Sequence, residues 1–156
     1  MLFPRIHLKT LSGSPIIFPD DLNELAVVLL PTRRRQQEEC DQWAACLPKL
    51  KKINSEIDYY EMPVLGHLWL WMKPIIDRGM KGGLPQESQK KTVCFYGHKD
   101  QLFEELDITP GENVDVFLIY KEHVVAHYNS PESIPTLIST VQEFTESIAP
   151  SSGLGA

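Results

Sequence analysis

Cysteine is scarce. Cys40, Cys46 and Cys94 are the only 3 in 156 residues, an odd number and too few for a disulfide framework, which a chain of this length does not need. A reducing compartment is therefore the default. Long apolar runs are missing too: the cleanest, Ala26 to Leu30, falls far short of a bilayer span of about 20 residues. The start Met-Leu-Phe-Pro-Arg-Ile-His has neither the apolar stretch of a secretory signal nor the Arg-rich, acid-poor character of a transit peptide. These absences set the expectation of a cytoplasmic protein without membrane insertion. Positive charge is also short, 15 Lys and Arg against 21 Asp and Glu for a net charge of −6. Binding that rests on neutralising phosphates needs a basic face, so a nucleic-acid partner is not expected.

Several catalytic signatures are absent as well. Gly79-x-x-Gly82-Gly83 has neither the spacing nor the preceding strand of a P-loop or a dinucleotide fingerprint. There is no Gly-x-Ser-x-Gly elbow and no zinc-type Cys/His cluster. His123 and His127 stand four apart beside Glu122, but in a segment that reads as strand, where that spacing spans about 13 Å. No metal and no cofactor are expected.

What is present is patterned apolar sequence of one-domain length. A single domain over 1–150 is expected, with a flexible tail over 151–156. Ile6, Leu8 and Leu11, then Ser12-Gly13-Ser14-Pro15, then Ile16-Ile17-Phe18 read as a β-hairpin. Leu25 to Leu30 is a continuous apolar run, the mark of a strand covered on both faces. Cys40, Trp43, Leu47 and Leu50 form the stripe of an amphipathic helix that Pro48 should kink. Further strands are expected at 57–64, 92–96, 114–120 and 124–128, with helices over 67–77, 102–106 and 137–148. Strand–helix–strand crossovers demand parallel pairing, while the closing pair around Glu122 is a hairpin. The expected architecture is an α/β, three-layer fold with a mixed central sheet and an N-terminal β-hairpin. That arrangement is similar to the thioredoxin-like superfamily, in its hairpin-bearing peroxiredoxin and membrane-anchored thioredoxin branches.

The segment Glu39-Cys40-Asp41-Gln42-Trp43-Ala44-Ala45-Cys46-Leu47-Pro48 resembles the thioredoxin active-site helix, in which a Cys-x-x-Cys precedes a kinking proline. Aligned on Pro48, the first family cysteine falls on Cys40 and the second on Trp43, so the dithiol is absent. Asp115 likewise stands where the family places a cis-proline facing the redox cysteine. A second pattern comprises Gln42-Trp43, Tyr60-Glu61-Met62-Pro63-Val64, Ile75-Ile76-Asp77-Arg78-Gly79-Met80-Lys81-Gly82-Gly83 and Asp115-Val116-Phe117-Leu118-Ile119. It resembles the thioredoxin-fold assembly factors of the mitochondrial F-type ATP synthase and their bacterial relatives. This chain departs from them in showing no targeting or membrane segment.

Cys40 is the candidate nucleophile. A thiol near a helix N-terminus and close to arginine is activated, and Arg33, Arg34 and Arg35 lie upstream. Against this, Glu38, Glu39 and Asp41 flank it, and its place on the apolar stripe suits a buried small hydrophobe. Cys46 lies six residues on, about 600° around a helix, too far round to pair with it. The run Arg33, Arg34, Arg35 is also the candidate site for an anion or a small thiol, its bland reading being a solvated loop answered by Glu38 and Glu39. The charge split agrees with that placement: residues 1–81 hold 11 basic and 10 acidic side chains, residues 82–156 hold 4 and 11. Leu65 to Met80 is apolar nearly all round, so Trp69, Trp71 and Met72 are the candidate interface for a protein partner or a homodimer. Two functions from different classes follow. The first is a protein-binding, assembly or chaperone-like factor that has lost the dithiol. The second is a one-cysteine thiol oxidoreductase or peroxidase in which Arg35 or a neighbour stabilises the Cys40 thiolate.

Overall fold

A computed structural model describes residues 1–65 and 89–148, with Arg34 by its backbone alone. The expected helix over 67–77, the glycine-rich loop after it, Trp69, Trp71, Met72 and the tail lie outside the described residues.

The hairpin forms as expected, β1 (Ile6–Lys9) antiparallel to β2 (Pro15–Phe18) with Ile6 opposite Phe18. β3 (Leu25–Leu30) is buried at every position. It is central because it pairs on both sides: parallel to β4 (Asp58–Glu61) and antiparallel to β5 (Asp115–Tyr120), which pairs antiparallel with β6 (His123–Tyr128). The sheet order is β4-β3-β5-β6. Alternation along β3 divides the core into two layers. Val27 and Leu29 pack with α1 (Gln37–Ala45), α2 (Leu47–Ile53) and α4 (Ile134–Ile148). Val28 and Leu30 pack with Phe18 of the hairpin and with Leu102 and Leu106 of α3 (Lys99–Leu106).

Two expectations need correction. The Cys40-to-Leu50 stripe is two helices, broken at Cys46, with Pro48 in the first turn of α2. A proline there lacks an N–H that the helix would leave unpaired in any case, so it opens the second helix rather than kinking one. The expected strand over 92–96 is a broken ladder instead. Val93 N–H donates to Glu61 O (2.9 Å), Phe95 N–H to Pro63 O (2.8 Å) and Leu65 N–H to Phe95 O (2.8 Å). Only the rungs Glu61–Thr92 and Val64–Phe95 register as parallel bridges. Pro63 has no N–H for the intervening rung, which interrupts the strand.

Candidate functional site

The loop after β3 leads through a single 3-10 turn (Arg34–Gln36) into α1. Gln36, 2% exposed, fixes that loop. Its Oε1 accepts from the N–H groups of Thr32 (2.8 Å) and Arg33 (3.3 Å), and its Nε2 donates to the carbonyls of Glu112 (3.0 Å) and Gly111 (3.4 Å). One buried amide thus joins the β3–α1 loop to the loop preceding β5. The junction is reinforced by Val114 N–H donating to Glu39 Oε2 at 2.8 Å.

Cys40 is the fourth residue of α1, past the open end of the helix, and is 0% exposed. Its thiol is pushed well above the ordinary range, first by burial and then by the carboxylates of Glu61, Asp41 and Glu39. Neither Arg33 nor Arg35 supplies an opposing influence there. Arg33 Nη1 and Arg35 Nη2 turn instead to Glu112, at 3.4 Å from Oε1 and 2.7 Å from Oε2. The expectation that Glu38 and Glu39 would answer these arginines is therefore corrected: the partner lies 77 to 79 residues away in sequence, and Glu39 is engaged with Val114. Cys46 is also buried, its thiol raised chiefly by desolvation. All three cysteines are buried.

At the position aligned with the second family cysteine, Trp43 is 1% exposed, packed in the core beneath α1 with its ring centroid 6.1 Å from that of Tyr128. Trp43 Nε1 and the Tyr59 hydroxyl are buried without a hydrogen-bond partner among the described residues. Glu61, on the same face of β4 as Tyr59, has its carboxyl pKa raised by burial and then by Asp41. The sign of the consequence is fixed. A folded-state carboxyl pKa above the unfolded value means that the native state holds its proton more tightly, so stability falls as pH rises through that window and stays penalised above it. Glu61→Gln should accordingly raise the melting temperature at neutral pH and flatten the decline expected of the parent above the ordinary carboxyl value of 4.5. Thermal unfolding of both proteins across pH measures this, and equal melting temperatures at neutral pH would contradict it.

Asp115, aligned with the family cis-proline, is buried and accepts from His127 Nε2 at 2.7 Å. The His127 ring stacks on Phe117 with centroids 4.8 Å apart. Sequence reasoning missed this pair because a β-bulge creates it. Val124 faces Ile119 but Ala126 faces Leu118, which leaves Val125 as the extra residue and sets His127 opposite Phe117. Without the bulge the register from the turn would put His127 opposite Val116 and on the other face of the sheet. His127 is thereby committed to Asp115, and His123 sits exposed at the far end of the same strand. Among the described residues no group of three His, Cys, Asp or Glu side chains could hold a metal ion. Among them, too, no helix is long and apolar enough to cross a membrane.

No family model matches the chain, and no curated protein does. Solved structures do. Copper-bound yeast Sco1 superimposes with a TM-score of 0.59 at 13% identity, over 97% of this chain and 92% of that one. BsSco, a member of the Sco family of cytochrome c oxidase assembly proteins, gives 0.62 at 11% identity over 93% and 94%. The fold is thioredoxin-like. The thioredoxin domain of a Bacteroides vulgatus thiol-disulfide oxidoreductase agrees, at 0.56 and 17% identity over 90% and 96%. Within this thioredoxin-like domain Cys40 and Trp43 pack on the Val27 and Leu29 face of the sheet, whereas Asp115, opposite Leu30, belongs to the other face with Phe117 and His127; each of the three is buried. The sheet thus lies between the Asp115 side chain and the pair Cys40 and Trp43.

Proposed function

We propose that this thioredoxin-like domain acts by binding a protein partner, as an assembly or chaperone-like factor, and carries out no thiol redox chemistry. The observation behind the reading is the state of Cys40: a fully buried thiol, raised in pKa by desolvation and three carboxylates, with an indole at the position of the family's second cysteine. A nucleophilic thiol needs the opposite environment, electropositive and partly open. The resemblance to ATP synthase assembly factors, read from the sequence, agrees with an assembly role, and the partner surface follows from the apolar stretch carrying Trp69, Trp71 and Met72. Peroxide consumption and disulfide reduction by the purified protein and its Cys40→Ser variant test the proposal. Neither assay should show turnover that depends on Cys40. Turnover in the parent that Cys40→Ser abolishes would replace binding with the one-cysteine oxidoreductase.

A further inference from the structure

Two guanidinium groups from one loop converge on a single carboxylate at the carboxyl end of β3, where ligands of open α/β sheets are commonly held. Arg33 reaches Oε1 of Glu112 at 3.4 Å and Arg35 reaches Oε2 at 2.7 Å, so each oxygen has its own cation. The loop that presents them is built rather than loose, because the buried Gln36 side chain binds the backbone N–H groups of Thr32 and Arg33. Glu112 is different in kind. It belongs to the loop before β5, its side chain is 76% exposed, and none of its carboxylate contacts among the described residues is to anything but these arginines. Glu39, close by in sequence, does not compete for them, since its carboxylate is held by Val114 N–H.

We propose that Arg33 and Arg35 form a site for an oxyanion, a carboxylate or a phosphate group, and that Glu112 is its tethered resting occupant. Guanidinium forks match both classes of oxyanion. A tethered carboxylate competes as an intramolecular ligand at an effective concentration set by its loop, while exposed ion pairs are individually weak enough to exchange. The site is therefore self-blocked, and an incoming anion binds by displacing Glu112. This inference stands apart from the binding reading above: it concerns a charged corner and does not depend on whether Cys40 is inert.

The test is titration of the full chain with inorganic phosphate and, separately, with acetate, at low ionic strength because exposed pairs are screened by salt. The backbone amide signals of 32–36 are followed by NMR in the parent, in Glu112→Gln and in Glu112→Gln combined with Arg33→Gln and Arg35→Gln. Removing the competitor should tighten binding by roughly fivefold, and removing both arginines should abolish it. The better of the two anions identifies phosphate or carboxylate as the matching class. Equal affinity in the parent and Glu112→Gln, or a gain that persists without the arginines, overturns the proposal. Should Glu112→Gln fail to fold, Arg33→Gln with Arg35→Gln in the parent decides: a phosphate response that survives those two changes overturns it.

Discussion

Trp43→Ala should cost about 3 kcal/mol of folding stability, at the lower end of the range of ~3–5 kcal/mol for removing a large buried aromatic side chain. The indole fills the layer between α1 and the sheet with 1% exposure and lies against Tyr128, so its removal leaves a cavity that rigid neighbours on two strands and a helix cannot close. Its buried Nε1 has no partner among the described residues, and an unpaired buried donor is itself unfavourable by ~1–3 kcal/mol. That offset places the loss at the low end. It also distinguishes two variants: Trp43→Phe keeps most of the apolar volume while discarding the orphan donor, so it should lose under about 1.5 kcal/mol. Urea unfolding should show the alanine midpoint shifted with the slope unchanged. A loss below about 1 kcal/mol for Trp43→Ala would mean that the ring is not a core residue.

Gln36→Ala should cost about 2 kcal/mol and loosen two loops at once. The side chain makes two short hydrogen bonds, to Thr32 N–H and to the Glu112 carbonyl, and two longer ones; each well-made bond contributes a net ~0.5–1.5 kcal/mol, and the orphaned N–H adds a desolvation penalty. The effect should be localised. Amide exchange at Thr32 and Arg33 should accelerate, while β3 and β5, held by their own ladder, should change only with global stability. Gln36→Glu separates hydrogen bonding from volume. It can still accept from the two N–H groups, but it sets a carboxylate oxygen against two carbonyls, so it should be no better than alanine. Unaltered exchange at Thr32 in Gln36→Ala would show that the amide does not hold the loop.

Legibility in the sequence followed the range of the interaction. The six-residue apolar run of β3 and the Ser12-Gly13-Ser14-Pro15 turn are local signals, and both elements formed where those signals placed them. The strand over 92–96 was legible as apolar sequence but not as a continuous ladder, because the interruption comes from Pro63 on its neighbour. The site was legible in part. Cys40 and Trp43 stood out through their spacing from Pro48, and the apolar stripe that carried the buried reading is the face they present to the core. The contacts that define the site were not legible. Glu112 meets Arg33 and Arg35 only because two loops meet at one end of the sheet, and Gln36 is an unremarkable polar residue until those loops are joined. The Asp115–His127 pair depends on one extra residue in a strand, which no periodicity announces.

The central claim is that the thiol at the redox position is inert, and alkylation kinetics of Cys40 against pH test it most directly. Burial and the carboxylates of Glu61, Asp41 and Glu39 all raise the thiol, so its thiolate is suppressed throughout the neutral range. The native protein should react slowly with iodoacetamide, with no inflection below the ordinary thiol value of 9.0, and the modification at Cys40, located by mass spectrometry, should become fast only on unfolding in urea. Rapid modification of Cys40 in the native protein, with a midpoint below about 8 and therefore under the free-thiol range, would contradict the account.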